Sequence, residues 1–155
     1  MDPKGTSRKA CVVLLVEDSL ADAGLLRWAL ADAAVRFEIT VVRDSEAAFE
    51  HLRAQAAVPD LVLLDLNLPG RDGREILQEI RASPRFGSIP VIVLTSSQAS
   101  GDVRTCLDLR ADHYLTKPLD LVGYEAVARS IESYWLSVTE GGKAADSAGS
   151  SPPQI

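Results

Sequence analysis

Three carboxylates, a hydroxyl and an ammonium stand in this chain at the ends of short apolar runs. Glu17 and Asp18 follow Cys11-Val12-Val13-Leu14-Leu15-Val16, and Asp65 follows Leu61-Val62-Leu63-Leu64. Thr95 follows Val91-Ile92-Val93-Leu94, and Lys117 follows His113-Tyr114-Leu115-Thr116. Carboxylates crowded together resist joint ionisation unless a cation neutralises them. Oxygen-only ligands suit a hard divalent ion; Mg²⁺ takes one or two carboxylates, keeps waters and leaves room for a phosphoryl oxygen. Asp65 could then act as a carboxylate nucleophile that forms an aspartyl-phosphate. The new phosphoryl oxygens need donors to stabilise them, which Asp18 with its metal, Thr95 and Lys117 can supply. Lys117 is also the sole lysine between Lys9 and Lys143, where positive charge otherwise comes from Arg. A compact ammonium at that position points to a role that guanidinium does not serve.

These residues make one site only if a fold gathers them. Cys11–Val16, Leu61–Leu64 and Val91–Leu94 are unbroken apolar runs, the pattern of strands buried on both faces. Phe37–Val42 alternates and reads as a strand nearer the sheet edge, and residues 113–116 read as a fifth. Between them, helices are expected at about 20–34, 45–56, 73–83, 99–110 and 120–138. Asp18 or Ser19 caps the first and Asp44 or Ser45 the second. The first helix is expected to bury Leu25, Leu26, Trp28, Ala29 and Leu30. Five strands alternating with five helices define an α/β, doubly wound, five-stranded parallel sheet. In such a sheet ligands bind at the carboxyl ends of the strands, where all five residues fall.

Composition narrows the function. The chain has 155 residues, 46% hydrophobic and 25% charged, one domain's worth of soluble globular sequence. Residues 1–9 read as a disordered lead, 10–138 as the domain and 139–155, rich in Gly, Ser, Ala and Pro, as a flexible tail. No apolar run approaches membrane length and no signal peptide is evident, so a cytoplasmic location without membrane contact is expected. The net charge of −6 argues against nucleic-acid binding. Cys11 and Cys106 lie in apolar segments without metal-type spacing and read as buried thiols of a reducing compartment. Neither histidine, His51 nor His113, sits at the carboxylate edge, so a His-based metal or hydrolase site has no support. His51 reads as part of a solvated helix face and His113 as a strand-end residue. Trp28 reads as core, while Trp135 on the last helix reads as either core or partner surface.

The sequence resembles response-regulator receiver domains over about residues 10–138. The motifs that carry the resemblance are Val16-Glu17-Asp18, Leu63-Leu64-Asp65-Leu66-Asn67-Leu68-Pro69, Asp72-Gly73, Val93-Leu94-Thr95-Ser96 and Tyr114-Leu115-Thr116-Lys117-Pro118. The loop Asp65–Glu75 and the ending Ile131-Glu132-Ser133-Tyr134-Trp135-Leu136 look like a subgroup of small stand-alone receivers, many paired with phytochrome-type light-sensing histidine kinases. The resemblance implies the flavodoxin-like strand order 2-1-3-4-5. It implies a signalling switch of a two-component system rather than an enzyme, with Asp65 as phosphoacceptor from a kinase phosphohistidine. Asp18, Asp65 and the backbone carbonyl of Asn67 would ligate Mg²⁺, with Glu17 acting directly or through water. Lys117 would pair with Asp65 and then with the phosphoryl group, while Thr95 and Tyr114 would switch with it. The implied partners are a sensor histidine kinase such as a bacteriophytochrome, a histidine phosphotransfer protein, and a second copy docked through the helix 4/strand 5/helix 5 face. The Lys117-Pro118 bond is expected to be cis.

One departure is Arg110-Ala111, where receivers usually have Gly-Ala; Arg at a positive φ would cost on the order of 1 kcal/mol. The competing reading is an Mg²⁺-dependent small-molecule phosphatase or phosphotransferase using an aspartyl-phosphate. Such enzymes generally need a second carboxylate two residues past the nucleophile and a cap; that position is Asn67, and no insertion is long enough for a cap. A flavodoxin-like cofactor carrier would place a phosphate loop where Glu17-Asp18 would repel phosphate. A nucleotide site lacks the Gly-x-x-x-x-Gly-Lys spacing.

Overall fold

Residues 10–54, 58–96 and 100–140 are described by the computed structural model. In chain order they form β1 (Cys11–Val16), α1 (Leu20–Ala31), β2 (Phe37–Val42), α2 (Ser45–Ala54), β3 (Leu61–Leu64), α3 (Gly73–Ala82), β4 (Val91–Thr95), α4 (Ser100–Asp108), β5 (His113–Thr116) and α5 (Leu121–Glu140). The five strands are parallel in the order β2-β1-β3-β4-β5. The expected lead, residues 1–9, lies outside the described residues. So does the expected tail beyond Glu140; its first two positions belong to α5.

The unbroken apolar runs are explained by burial on both faces. Leu14 and Val16 of β1, Val62 and Leu64 of β3, and Val91 and Val93 of β4 pack with α2, α3 and α4. Their alternates Val13, Leu15, Leu61, Leu63, Ile92 and Leu94 pack with α1 and α5. Side chains alternate along a strand, so a strand sandwiched between helix layers must be apolar at every position. Edge strand β2 has only intermediate and exposed residues, as its alternating sequence implies. Cys11 and Cys106 are buried and unpaired. Burial holds their thiol pKa values up, to about 12 and about 11.

Three expectations are corrected. Trp28 is half exposed, at 50%, because it stands two residues, about 200° of helix rotation, past buried Leu26. The buried face of α1 is instead Ala23, Leu26, Ala29 and Leu30. Second, no cis peptide bond occurs among the described residues, so Lys117-Pro118 is trans. The direction of Lys117 comes from its backbone N–H bonding to the Thr95 carbonyl at 2.8 Å and from its side-chain partners. Third, α4 ends at Asp108, earlier than the pattern suggests. There the Ala111 N–H bonds to the Cys106 carbonyl and the Arg110 N–H to that of Leu107, a Schellman closure with Arg110 at φ 68°. His51 is half-buried rather than fully solvated. Trp135, also half-buried, packs against the α1/α5 side of the core.

Candidate functional site

The carboxyl edge of the sheet is assembled by backbone hydrogen bonds between strand ends. Glu17 N–H bonds to Val42 O at 2.9 Å, Asp65 N–H to Val16 O at 3.0 Å and Lys117 N–H to Thr95 O at 2.8 Å. Register therefore sets β1, β3, β4 and β5 to end together, which puts Glu17, Asp65, Thr95 and Lys117 side by side. The loop after Asp65 folds back through a bridge between Asn67 and Asp72 and a positive φ of 80° at Gly70. Asp72 then caps α3, accepting from the Arg74 N–H. Gly73 is required at the start of that helix: a Cβ there would stand 2.5 Å from the Asp65 carbonyl oxygen and 2.6 Å from Leu66 Cα.

Glu17, Asp18 and Asp65 converge, each offering an oxygen within 4.8 Å of the others. Glu17 and Asp65 are each 3% exposed, and Asp18 is half-buried. Lys117 crosses above them. Its Nζ lies 2.6 Å from Glu17 Oε1, 2.9 Å from Asp65 Oδ2 and 2.9 Å from Asp22 Oδ2. Burial works against the charge on Lys117, but its bonds to Glu17, Asp65 and Asp22 outweigh that and raise its pKa. One ammonium cannot neutralise every carboxylate around it. Burial, first of all, raises the Glu17 pKa to about 7 against the lowering by Lys117 and the Ser19 N–H, and the surplus charge on Asp65 adds to the rise. A divalent cation would relieve that surplus, and an all-oxygen donor set with a buried centre and a half-buried rim fits such an ion.

The other expected residues are beside this cluster. Asp65 Oδ1 accepts the Asn67 N–H at 3.1 Å, and the Asn67 side-chain amide donates to Thr95 Oγ1 at 3.2 Å. Thr95 is fully buried. Tyr114, at 4% exposure, packs into the core beneath α3 and α4, one strand from Thr95. His51 and His113 stay away from the edge; His113 stacks on Tyr134 with ring centroids 6.4 Å apart. Sequence reasoning missed Asp22 and the close approach of Gly73. Asp22 carried a legible signal: it lies four residues past Asp18, in the first turn of the helix that leaves the same edge.

This fold and edge define a class that the comparisons identify: the chain belongs to the response regulator receiver domain family, whose model matches residues 13–128. It is 42% identical over 130 residues to the response regulator Rcp1 of Synechocystis sp. PCC 6803, covering 81% of this chain and 88% of that protein. Its structure resembles that of the phosphorylated cyanobacterial phytochrome response regulator RcpA, with a TM-score of 0.77 and 41% identity over 84% of this chain and 96% of the other. The Mn²⁺-bound form of Rcp1 matches with a TM-score of 0.74 and 42% identity, covering 81% and 94% of the two chains. The expected receiver fold, two-component signalling class and similarity to phytochrome response regulators are therefore met. Among the described residues no helix is long and apolar enough to cross a membrane.

Proposed function

We propose that this protein is a phosphorylation-controlled switch that accepts a phosphoryl group on Asp65 from the phosphohistidine of a sensor histidine kinase. The observation that carries this reading is the buried Asp65 carboxylate held between an acidic cluster and the Lys117 ammonium. In the transfer, a bond forms from an Asp65 carboxylate oxygen to phosphorus as the phosphorus–nitrogen bond breaks, and the bonding pair leaves on the imidazole nitrogen. Lys117 meets the charge on the incoming phosphoryl oxygens, and Thr95 turns its hydroxyl from Asn67 toward them. Glu17, Asp18, Asp65 and the Asn67 carbonyl would hold Mg²⁺, which when bound supplies charge neutralisation for the phosphoryl oxygens.

Engagement of Thr95 draws on buried Tyr114 and so biases the α4/β5/α5 surface between two states. That surface is the binding output, toward a second copy or another protein, and the acceptor can also pass its phosphoryl group to a histidine phosphotransfer protein. Exposed Leu20, Leu119 and Val122, in the segments that follow β1 and β5, give a donor protein apolar purchase. Similarity to RcpA and Rcp1 supports a phytochrome-type kinase as the donor. The only turnover expected is self-phosphorylation and self-dephosphorylation.

The test is intact-mass analysis after incubation with acetyl phosphate and Mg²⁺, comparing wild type, Asp65→Asn and a chelated control. A single Mg²⁺-dependent, base-labile adduct that is absent from Asp65→Asn is expected. An adduct that persists in the variant, or none in the wild type, overturns the reading.

A further inference from the structure

Lys117 makes one contact to which the proposed transfer gives no role. Its Nζ lies as close to Asp22 Oδ2 as to Asp65 Oδ2, 2.9 Å in each case. Asp22 belongs to the first turn of α1 and stands outside the Glu17, Asp18, Asp65 group. Tyr124 of α5 is buried nearby, its phenol pKa raised to about 12 by burial first and by the Asp22 charge second. Tyr124 is 2% exposed and packs in the α1/α5 layer with Leu26, Leu63 and Leu94. A polar chain thus runs from α1 through Asp22 and Lys117 to the end of β3.

An ammonium has three protons, and Lys117 directs its three contacts to Glu17, Asp22 and Asp65. Two of these partners change when the site works. A cation at the acidic cluster competes for Glu17, and phosphorylation ties up an Asp65 carboxylate oxygen in an acyl-phosphate linkage and moves the negative charge out to the phosphoryl oxygens. Asp22 is the one partner that neither event consumes. A lysine on a flexible four-carbon stem that exchanged both other partners without a third would lose its position before the phosphoryl oxygens engage it.

We propose that Asp22 is a positioning residue that holds the Lys117 ammonium over Asp65 while the other two partners of the ammonium are being exchanged. The proposal rests on the reading of Asp65 as phosphoacceptor. It assigns no contact between Asp22 and the phosphoryl group; Asp22 acts through Lys117.

The experiment uses the full chain, with acetyl phosphate as donor and saturating Mg²⁺, and follows the rate of adduct formation by intact mass. Asp22→Ala is expected to slow the reaction about tenfold, since it removes a charge-assisted hydrogen bond, and Asp22→Asn about threefold, since the amide oxygen still accepts. In a Lys117→Ala background, Asp22→Ala adds no further slowing, which a general structural defect would not reproduce. If Asp22→Ala does not fold, the near-isosteric Asp22→Asn carries the same comparison. A wild-type rate in the Asp22 variants, or equal slowing with and without Lys117, overturns this proposal alone. A wild type that takes no phosphoryl group overturns the phosphoacceptor reading and this proposal with it.

Discussion

Replacing Lys117 with Met keeps the length of the side chain and removes the cation that faces Glu17, Asp22 and Asp65. Glu17 and Asp65 have side chains only 4% exposed, so water cannot take over the neutralising role. Breaking a buried ion pair from one side costs about 3–5 kcal/mol. The carboxylates have an escape, because either can take up a proton. Protonating a carboxyl of ordinary pKa near 4 at pH 7 costs three units, or about 4 kcal/mol, which sets a ceiling on the loss; at pH 5 the ceiling falls to about 1.4 kcal/mol. The sign follows. In the variant Glu17 loses the lowering by Lys117 and its pKa stands further above its unfolded value, so its contribution to stability is greatest at low pH and declines as pH rises through the unfolded pKa toward the folded one. In the wild type Glu17 contributes a decline of the same sign between about pH 4.5 and 7.

Urea unfolding of Lys117→Met at pH 5 and pH 7 should therefore show a loss of about 1–1.4 kcal/mol at the lower pH and about 3–4 kcal/mol at the higher. Mg²⁺ at a hundredfold excess over its Kd should return about 2.7 kcal/mol at pH 7 by mass action. A loss below 1 kcal/mol at both pH values, or one independent of pH, would refute the claim that Lys117 neutralises buried charge.

The remaining predictions concern backbone geometry. Gly73→Ala pushes a methyl group into the Asp65 carbonyl and Leu66 Cα, so it should cost about 1–3 kcal/mol in urea unfolding and slow adduct formation by displacing Asp65. Arg110→Gly relieves the positive φ at the end of α4 and should stabilise by about 0.5–1 kcal/mol while leaving the adduct rate unchanged.

Much of the site could be read along the chain because its parts are local. A strand between two helix layers must be apolar throughout, and it ends where polarity returns; Asp65, Thr95 and Lys117 each mark that change. Parallel connectivity then requires all such ends to lie on one edge, so the sequence alone placed four of the strands and their terminal residues in one site. The positive φ of Arg110 was also foreseeable, from a residue standing where glycine is usual. Tertiary structure alone decided the rest. Asp22 and Lys117 are 95 positions apart, and their bond exists only because α1 and β5 leave and reach the same edge. Exposure of Trp28 depends on the rotation of α1 against the sheet, which a hydrophobicity count does not carry. The direction of Lys117 is set by Thr95 and three carboxylates from other elements, so the peptide bond after it can remain trans. Propensity and periodicity act between near neighbours, whereas the charge balance of a buried site is settled by whichever distant groups the packed helices bring within reach.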